Sequence, residues 1–345
     1  MARLMDNNAE NDSPEDSGET RGHSDAPPYD AELAAVLAVA AREMTPVTIP
    51  DLPRLRQRDQ ELALQARRDV LDEGLVIEDV EVASADGDHV EMSIIRRPDS
   101  PNGGPLLYFI HGGGMMLGTR WSGHEEFIKW IERYGLVVAT IEYRLAPEHR
   151  FPTPHEDCYS GLRWLDRNAP SLGVQVDTSL VVGTSAGGGL AAAVALMARD
   201  RSGPKAGGMM LLAPMLDDRP SWPSWRQFPT GVWNASENRL AWDALLGDET
   251  GREDMSHHAV PGRTRDFREL PTTYVEVGSA ELFRDESVAF ASGIWAAGGR
   301  AELHVWDGGF HGFDSHTHTA LAQGATQARF NWMDRVLGLP ARPPG

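Results

Sequence analysis

Cysteine is almost absent: Cys158 is the single one in 345 residues. One thiol excludes an intramolecular disulfide framework and a zinc site built on cysteines. Cys158 falls in EDCYSGLRWL, which reads as helix, so a buried spectator thiol is expected. Long apolar runs are missing too. No stretch approaches the ~18–20 consecutive apolar residues of a membrane span. The first residues, MARLMDNNAENDSPEDSGE, lack the apolar core of a secretory signal. Positive charge is scarce: 32 Lys and Arg stand against 51 Asp and Glu, a formal net charge of −19. That balance makes nucleic acid and anionic membrane surfaces poor partners. No internal repeat is found. A cytoplasmic globular protein is expected.

Residues 1–28 are acidic and carry almost no large apolar side chains, so a disordered tail is expected there. Asp30 then reads as the N-cap of AELAAVLAVAAREM, with Leu33, Val36, Leu37 and Val39/Ala40 on one face. A second helix is expected around Leu55 to Leu71. From VIEDVEVAS onward, strands alternate with helices. ADGD supplies a hairpin turn between the first two strands. PLLYFI and LVVATIEYR are short apolar runs typical of strands buried on both faces, SLVVGTS is another buried strand, and GGMMLLAPML, TTYVEVGSAE and AELHVWDGG are read as further strands. The alternation predicts a doubly wound α/β core with a mainly parallel sheet. Residues 214–258 interrupt it, bringing Trp222, Trp225, Phe228, Trp233 and Trp242 among Pro, Asp and Arg. Most of these aromatics are expected in the core, with one or two lining a pocket under a lid.

The chemistry starts at Gly183-Thr184-Ser185-Ala186-Gly187, between a strand and a helix. A strand–Ser–helix elbow is so tight that residues two positions either side of the serine must be tiny. Gly183 and Gly187 meet that demand, and Ser185 is left at a helix N-terminus that favours developing negative charge. The pentapeptide also occurs by chance as a glycine-rich turn. A second motif answers that objection. His111-Gly112-Gly113-Gly114 follows the strand PLLYFI. Acyl transfer builds negative charge on a carbonyl oxygen, and glycines let a loop turn its amides onto it. Gly113 and Gly114, with Ala186 from the elbow, are the candidate donors. Each such donor is worth ~3 kcal/mol. A phosphate nest would want a Lys or Arg in the motif, and none is there. Of the twelve histidines, His311 in WDGGFHGFD stands just after the last expected strand and is the candidate base. His111 is read as a brace for its own loop. His316 and His318 form an H-x-H without a third ligand in register, read as a solvated helix start, so no metal site is expected. Met115 and Met116 serve equally as an adaptable pocket wall or as core.

HGGG at 111–114, YRLAPEHRFPTPHEDCYSGLRWL at 143–165, GTSAGG at 183–188 and HGF at 311–313 together resemble the hormone-sensitive lipase-like family of α/β-hydrolases, the bacterial family IV esterases. The resemblance spans residues 105 to about 338. It implies the α/β-hydrolase fold: a mainly parallel eight-stranded sheet flanked by helices, with a helical cap. Residues 76–213 and 259–345 fall in its catalytic core, and 29–75 and 214–258 where the family keeps its cap. It implies hydrolysis of short- to medium-chain carboxylic esters through an acyl-enzyme, without cofactor, on a small-molecule substrate; a homodimer is left open. Thr184 stands where many members have Asp, which places the chain on a GTSAG branch. The family's acid heads Asp-Pro-Leu-x-Asp after the seventh strand, and here that stretch reads Glu281-Leu282-Phe283-Arg284-Asp285. Glu281 holds the acid position, and Asp285 is the alternative. An amidase or formamidase on the same fold, or a non-catalytic ligand receptor, are the rival readings.

Overall fold

A computed structural model describes residues 26–40, 46–100 and 104–338. Apart from residues 26–28, the expected tail lies outside the described residues. Asp30 caps α1 (Ala31–Ala40), its Oδ1 accepting the Glu32 and Leu33 amides at 2.9 and 3.2 Å. Leu33 is fully buried, but Val39 is 69% exposed, so the apolar face is narrower than its sequence implies. The second helix, α2, runs Leu52–Asp72. A hairpin follows, β1 (Val76–Ala83) and β2 (His89–Arg96), turned at Gly87 with φ +92°.

Next come β3 (Gly104–Ile110), α3 (His124–Tyr134), β4 (Val137–Ile141), α4 (Thr153–Leu172), β5 (Val174–Thr184) and α5 (Ala186–Asp200). The chain continues through β6 (Gly208–Leu212), the short α6 (Pro223–Gln227), α7 (Ala235–Leu246) and β7 (Thr272–Gly278). It ends in α8 (Arg284–Ala296), β8 (Ala301–Trp306) and α9 (Ala320–Leu337). Eight strands form one sheet in the order β1-β2-β4-β3-β5-β6-β7-β8. Only β2 pairs antiparallel, with β1 and β4; the other neighbours run parallel. This is the α/β-hydrolase architecture.

Alternation along β3 explains the continuous apolar run. Leu106, Tyr108 and Ile110 join the core under α4, α5 and α8, with Leu162, Leu190 and Phe290. Leu107 and Phe109 face the other way, toward α2, α3 and α9, with Ala66, Trp130 and Trp332. Helix α3 was not anticipated. Phe127, Trp130, Ile131 and Tyr134, all buried, are spaced i, i+3, i+4 and i+7 and would have revealed it. Between β6 and β7, α7 is opened by a capping box of Asn234 and Glu237.

The parallel register positions the site. Ile110 pairs with Gly183, and Gly278 with Trp306. The loops leaving β3, β5, β7 and β8 therefore emerge together at the carboxyl edge of the sheet, where open α/β sheets bind ligands.

Candidate active site

Ser185 has φ +56° and ψ −122°, a conformation that a residue with a β-carbon adopts only under constraint. Flanking interactions hold it there. The Ser185 amide donates to the Leu212 carbonyl at 2.8 Å, and the Met215 amide donates to the Ser185 carbonyl at 3.0 Å. A β-carbon at Gly183 would collide with the Gly187 carbonyl, and one at Gly187 with the carbonyls of Ile110 and His111. The expected elbow is present with both of its small residues required.

His311 lies opposite. With its proton on Nδ1, His311 donates to Glu281 Oε2 at 3.2 Å, and the Ser185 hydroxyl donates to Nε2 at 3.0 Å. Phe283 meets the imidazole edge to face, ring centres 5.1 Å apart. Glu281 is 2% exposed, and burial raises its pKa above the usual glutamate value despite His311. Two further carboxylates near it, Glu276 and Asp314, are ion-paired with the buried Arg329 of α9. Asp285 points elsewhere: it accepts the Ser224 amide at 2.8 Å and pairs with Arg284 at 2.7 Å. It joins the first turn of α8 to α6.

The HGGG loop stands beside the elbow. Gly113 and Gly114 have φ of +108° and +61°, which a side chain would resist. His111 is fully buried, its Nδ1 2.8 Å from the Gly112 carbonyl, and burial lowers its pKa to about 4. The Nδ1 contact thus stays within its own loop. Tyr143 was missed. Its ring stacks on His111 with centres 4.2 Å apart, and its hydroxyl donates to the His111 carbonyl at 2.9 Å. The next residue, Arg144, grips buried Asp157 of α4 at 2.7 Å. From α2, Arg56 donates to the Met116 and Ala146 carbonyls at 2.8 and 2.6 Å, and Asp59 accepts the Gly118 amide at 2.8 Å. Met115 and Met116 lie in the core, 1% and 0% exposed.

Of the aromatics in residues 214–258, Trp225, Phe228 and Trp242 are buried. Trp233 differs. Its indole lies against Gly114 and is 6.5 Å from the His311 ring, and its Nε1–H donates to Asn238 at 3.2 Å. His316 and His318 have ring centres 6.2 Å apart in the loop before α9.

A strand-to-helix serine, a histidine and a buried acid at the end of a parallel sheet define an α/β hydrolase. A family model described as alpha/beta hydrolase fold matches residues 107–315, and the chain belongs to that family. Within it, the chain stands with the hormone-sensitive lipase-like esterases. The solved structure of a bacterial heroin esterase is 33% identical with a TM-score of 0.82, covering 90% of this chain and 98% of that one. Esterase LipI of Mycobacterium tuberculosis is 28% identical over 231 residues, 67% of this chain and 71% of its own. The α/β hydrolase R526 of Acanthamoeba polyphaga mimivirus is 28% identical over 216 residues, matched over 62% of its length.

Proposed function

We propose that this chain is a serine carboxylesterase acting on short- to medium-chain esters through Ser185, His311 and Glu281. The observation that carries the reading is the unbroken hydrogen-bonded line from Ser185 Oγ to His311 to Glu281, at 3.0 and 3.2 Å. A non-catalytic receptor has no use for that line.

His311 takes the Ser185 proton as the hydroxyl attacks the ester carbonyl. The Gly113, Gly114 and Ala186 amides receive the tetrahedral oxyanion. His311 then protonates the leaving alcohol, and the acyl-enzyme forms. Water, activated by the same imidazole, releases the acid. Glu281 holds the imidazole tautomer and balances its charge. The cap is assigned to the described parts of 29–75 and to 214–258, with the second half of α2 packed on the sheet through Ala63, Ala66 and Val70, and Trp233 brings the cap to 6.5 Å from the His311 ring. No helix among the described residues is long and apolar enough to cross a membrane. The single cysteine fits a reducing compartment, and we extend the proposal to a cytoplasmic enzyme.

The test is hydrolysis of p-nitrophenyl esters of graded acyl length beside the matching anilides. Turnover of short esters, lost in Ser185→Ala, supports the reading. Preference for the anilides would replace it with an amidase.

A further inference from the structure

Asp200 closes α5, the helix that begins next to Ser185. At that far end Asp200 Oδ2 lies 2.6 Å from His257 Nε2 and 2.8 Å from His258 Nε2. Among the described residues these three side chains are the group whose ligand atoms all lie within 4.8 Å of one another. The two imidazoles meet at 64°, ring centres 4.5 Å apart, and both aim Nε2 at the same carboxylate oxygen.

We propose that Asp200, His257 and His258 form a binding site for one divalent first-row transition ion, zinc foremost. Two imidazole nitrogens and one carboxylate oxygen are a donor set that zinc favours. Zinc bonds of about 2.0–2.1 Å place neighbouring tetrahedral ligands about 3.3 Å apart. The separations of 2.6 and 2.8 Å therefore widen by roughly 0.7 and 0.5 Å on binding. The histidines are exposed enough to move, with side chains 38% and 20% accessible.

Three surroundings support the assignment. Arg199 Nε donates to the other oxygen, Asp200 Oδ1, at 2.7 Å, which fixes the carboxylate and leaves Oδ2 for the ion. Arg199 is itself held by the Asp266 and Arg268 carbonyls. The cluster also sits at a helix C-terminus, where partial negative charge favours a cation. A cavity of about 590 Å³ beside His257 gives a fourth, water ligand access.

The site is a clasp rather than part of the chemistry. The 15 residues of α5 separate it from Ser185 by about 22 Å. The ion would tie the end of α5 to the segment around residues 255–260.

The full chain is stripped with EDTA, dialysed, and titrated calorimetrically with Zn²⁺. His257→Ala and His258→Ala are titrated beside it, with His316→Ala/His318→Ala as control. One equivalent is expected to bind wild type and control with micromolar Kd, and the two cluster variants roughly tenfold or more weaker. Zn²⁺ should raise the melting temperature only where binding survives, and ester hydrolysis by the stripped protein should be unchanged. Absence of binding below millimolar Zn²⁺ overturns the site. So does binding that His257→Ala and His258→Ala leave intact, or that the control variant abolishes.

Discussion

At the residue scale, the acid opposite His311 decides most. Glu281 is buried and reaches Nδ1, while Asp285 is spent on Ser224 and Arg284. Glu281→Gln is expected to lower kcat by ~10²–10⁴-fold, because the imidazole loses its orienting charge. Burial raises the pKa of Glu281, so its stabilising, protonated form is lost as pH rises above the usual 4.5. Glu281→Gln, which does not titrate, should therefore gain melting temperature relative to wild type as pH rises from 4.5 through the raised value. Asp285→Asn should keep turnover and lose about 1 kcal/mol of stability. Paired kinetics and melts check this; a dead but well-folded Asp285→Asn would reverse the assignment. Trp233 gives a second residue-scale prediction. Its indole narrows the space above Gly114. Trp233→Ala should move the optimum toward longer acyl chains, read as kcat/KM across the ester series; an unchanged profile would remove Trp233 from the pocket.

At the scale of elements, α1 serves the histidine loop. The Asp30 amide donates to the Gly308 carbonyl at 3.0 Å, and Leu33 packs with Phe310 and Phe313 on either side of His311. Removing residues 1–28 should leave kcat/KM for small esters unchanged. Removal through residue 40 should lower kcat and speed amide exchange across residues 308–313. Equal activity of both truncations would contradict that link. Much of the site was legible because its motifs are local. Gly183 and Gly113 are demanded by contacts within their own short loops, while Gly187 and Gly112 are demanded by the close approach of the elbow and the HGGG loop to each other. The narrow choice between Glu281 and Asp285 was legible only as spacing, because direction depends on how the α8 turn docks on α6. Tyr143, Arg56 and Asp59 were not legible as braces. Each reaches the HGGG loop across dozens of residues, with no periodicity to announce it. The YRLAPEH stretch marked the family without explaining itself; the structure gives its job, stacking on His111 and gripping Asp157.

At the scale of the molecule, the sheet gathers four loops at one edge and the helices close both faces. Two neutral histidines are buried in this body, His111 with its pKa lowered to about 4 and His155 to about 3, both chiefly by burial. The unfolded chain binds their protons near 6.5, the folded one only far below. Their contribution is therefore complete above pH 6.5 and is lost as pH falls toward 4 and 3. Melting temperature should drop over that window, and His155→Leu, which leaves the active-site loop alone, should flatten the drop. An unchanged slope would assign acid sensitivity elsewhere. The central claim is that one serine, lifted from the sheet at one edge, performs the hydrolysis. Its most direct measurement is reaction of the full chain with a fluorophosphonate, followed by intact mass and peptide mapping. The expected result is a single adduct on Ser185, formed in proportion to the loss of ester hydrolysis and absent from Ser185→Ala. An adduct elsewhere, or hydrolysis that persists after Ser185 is fully labelled, would contradict the account.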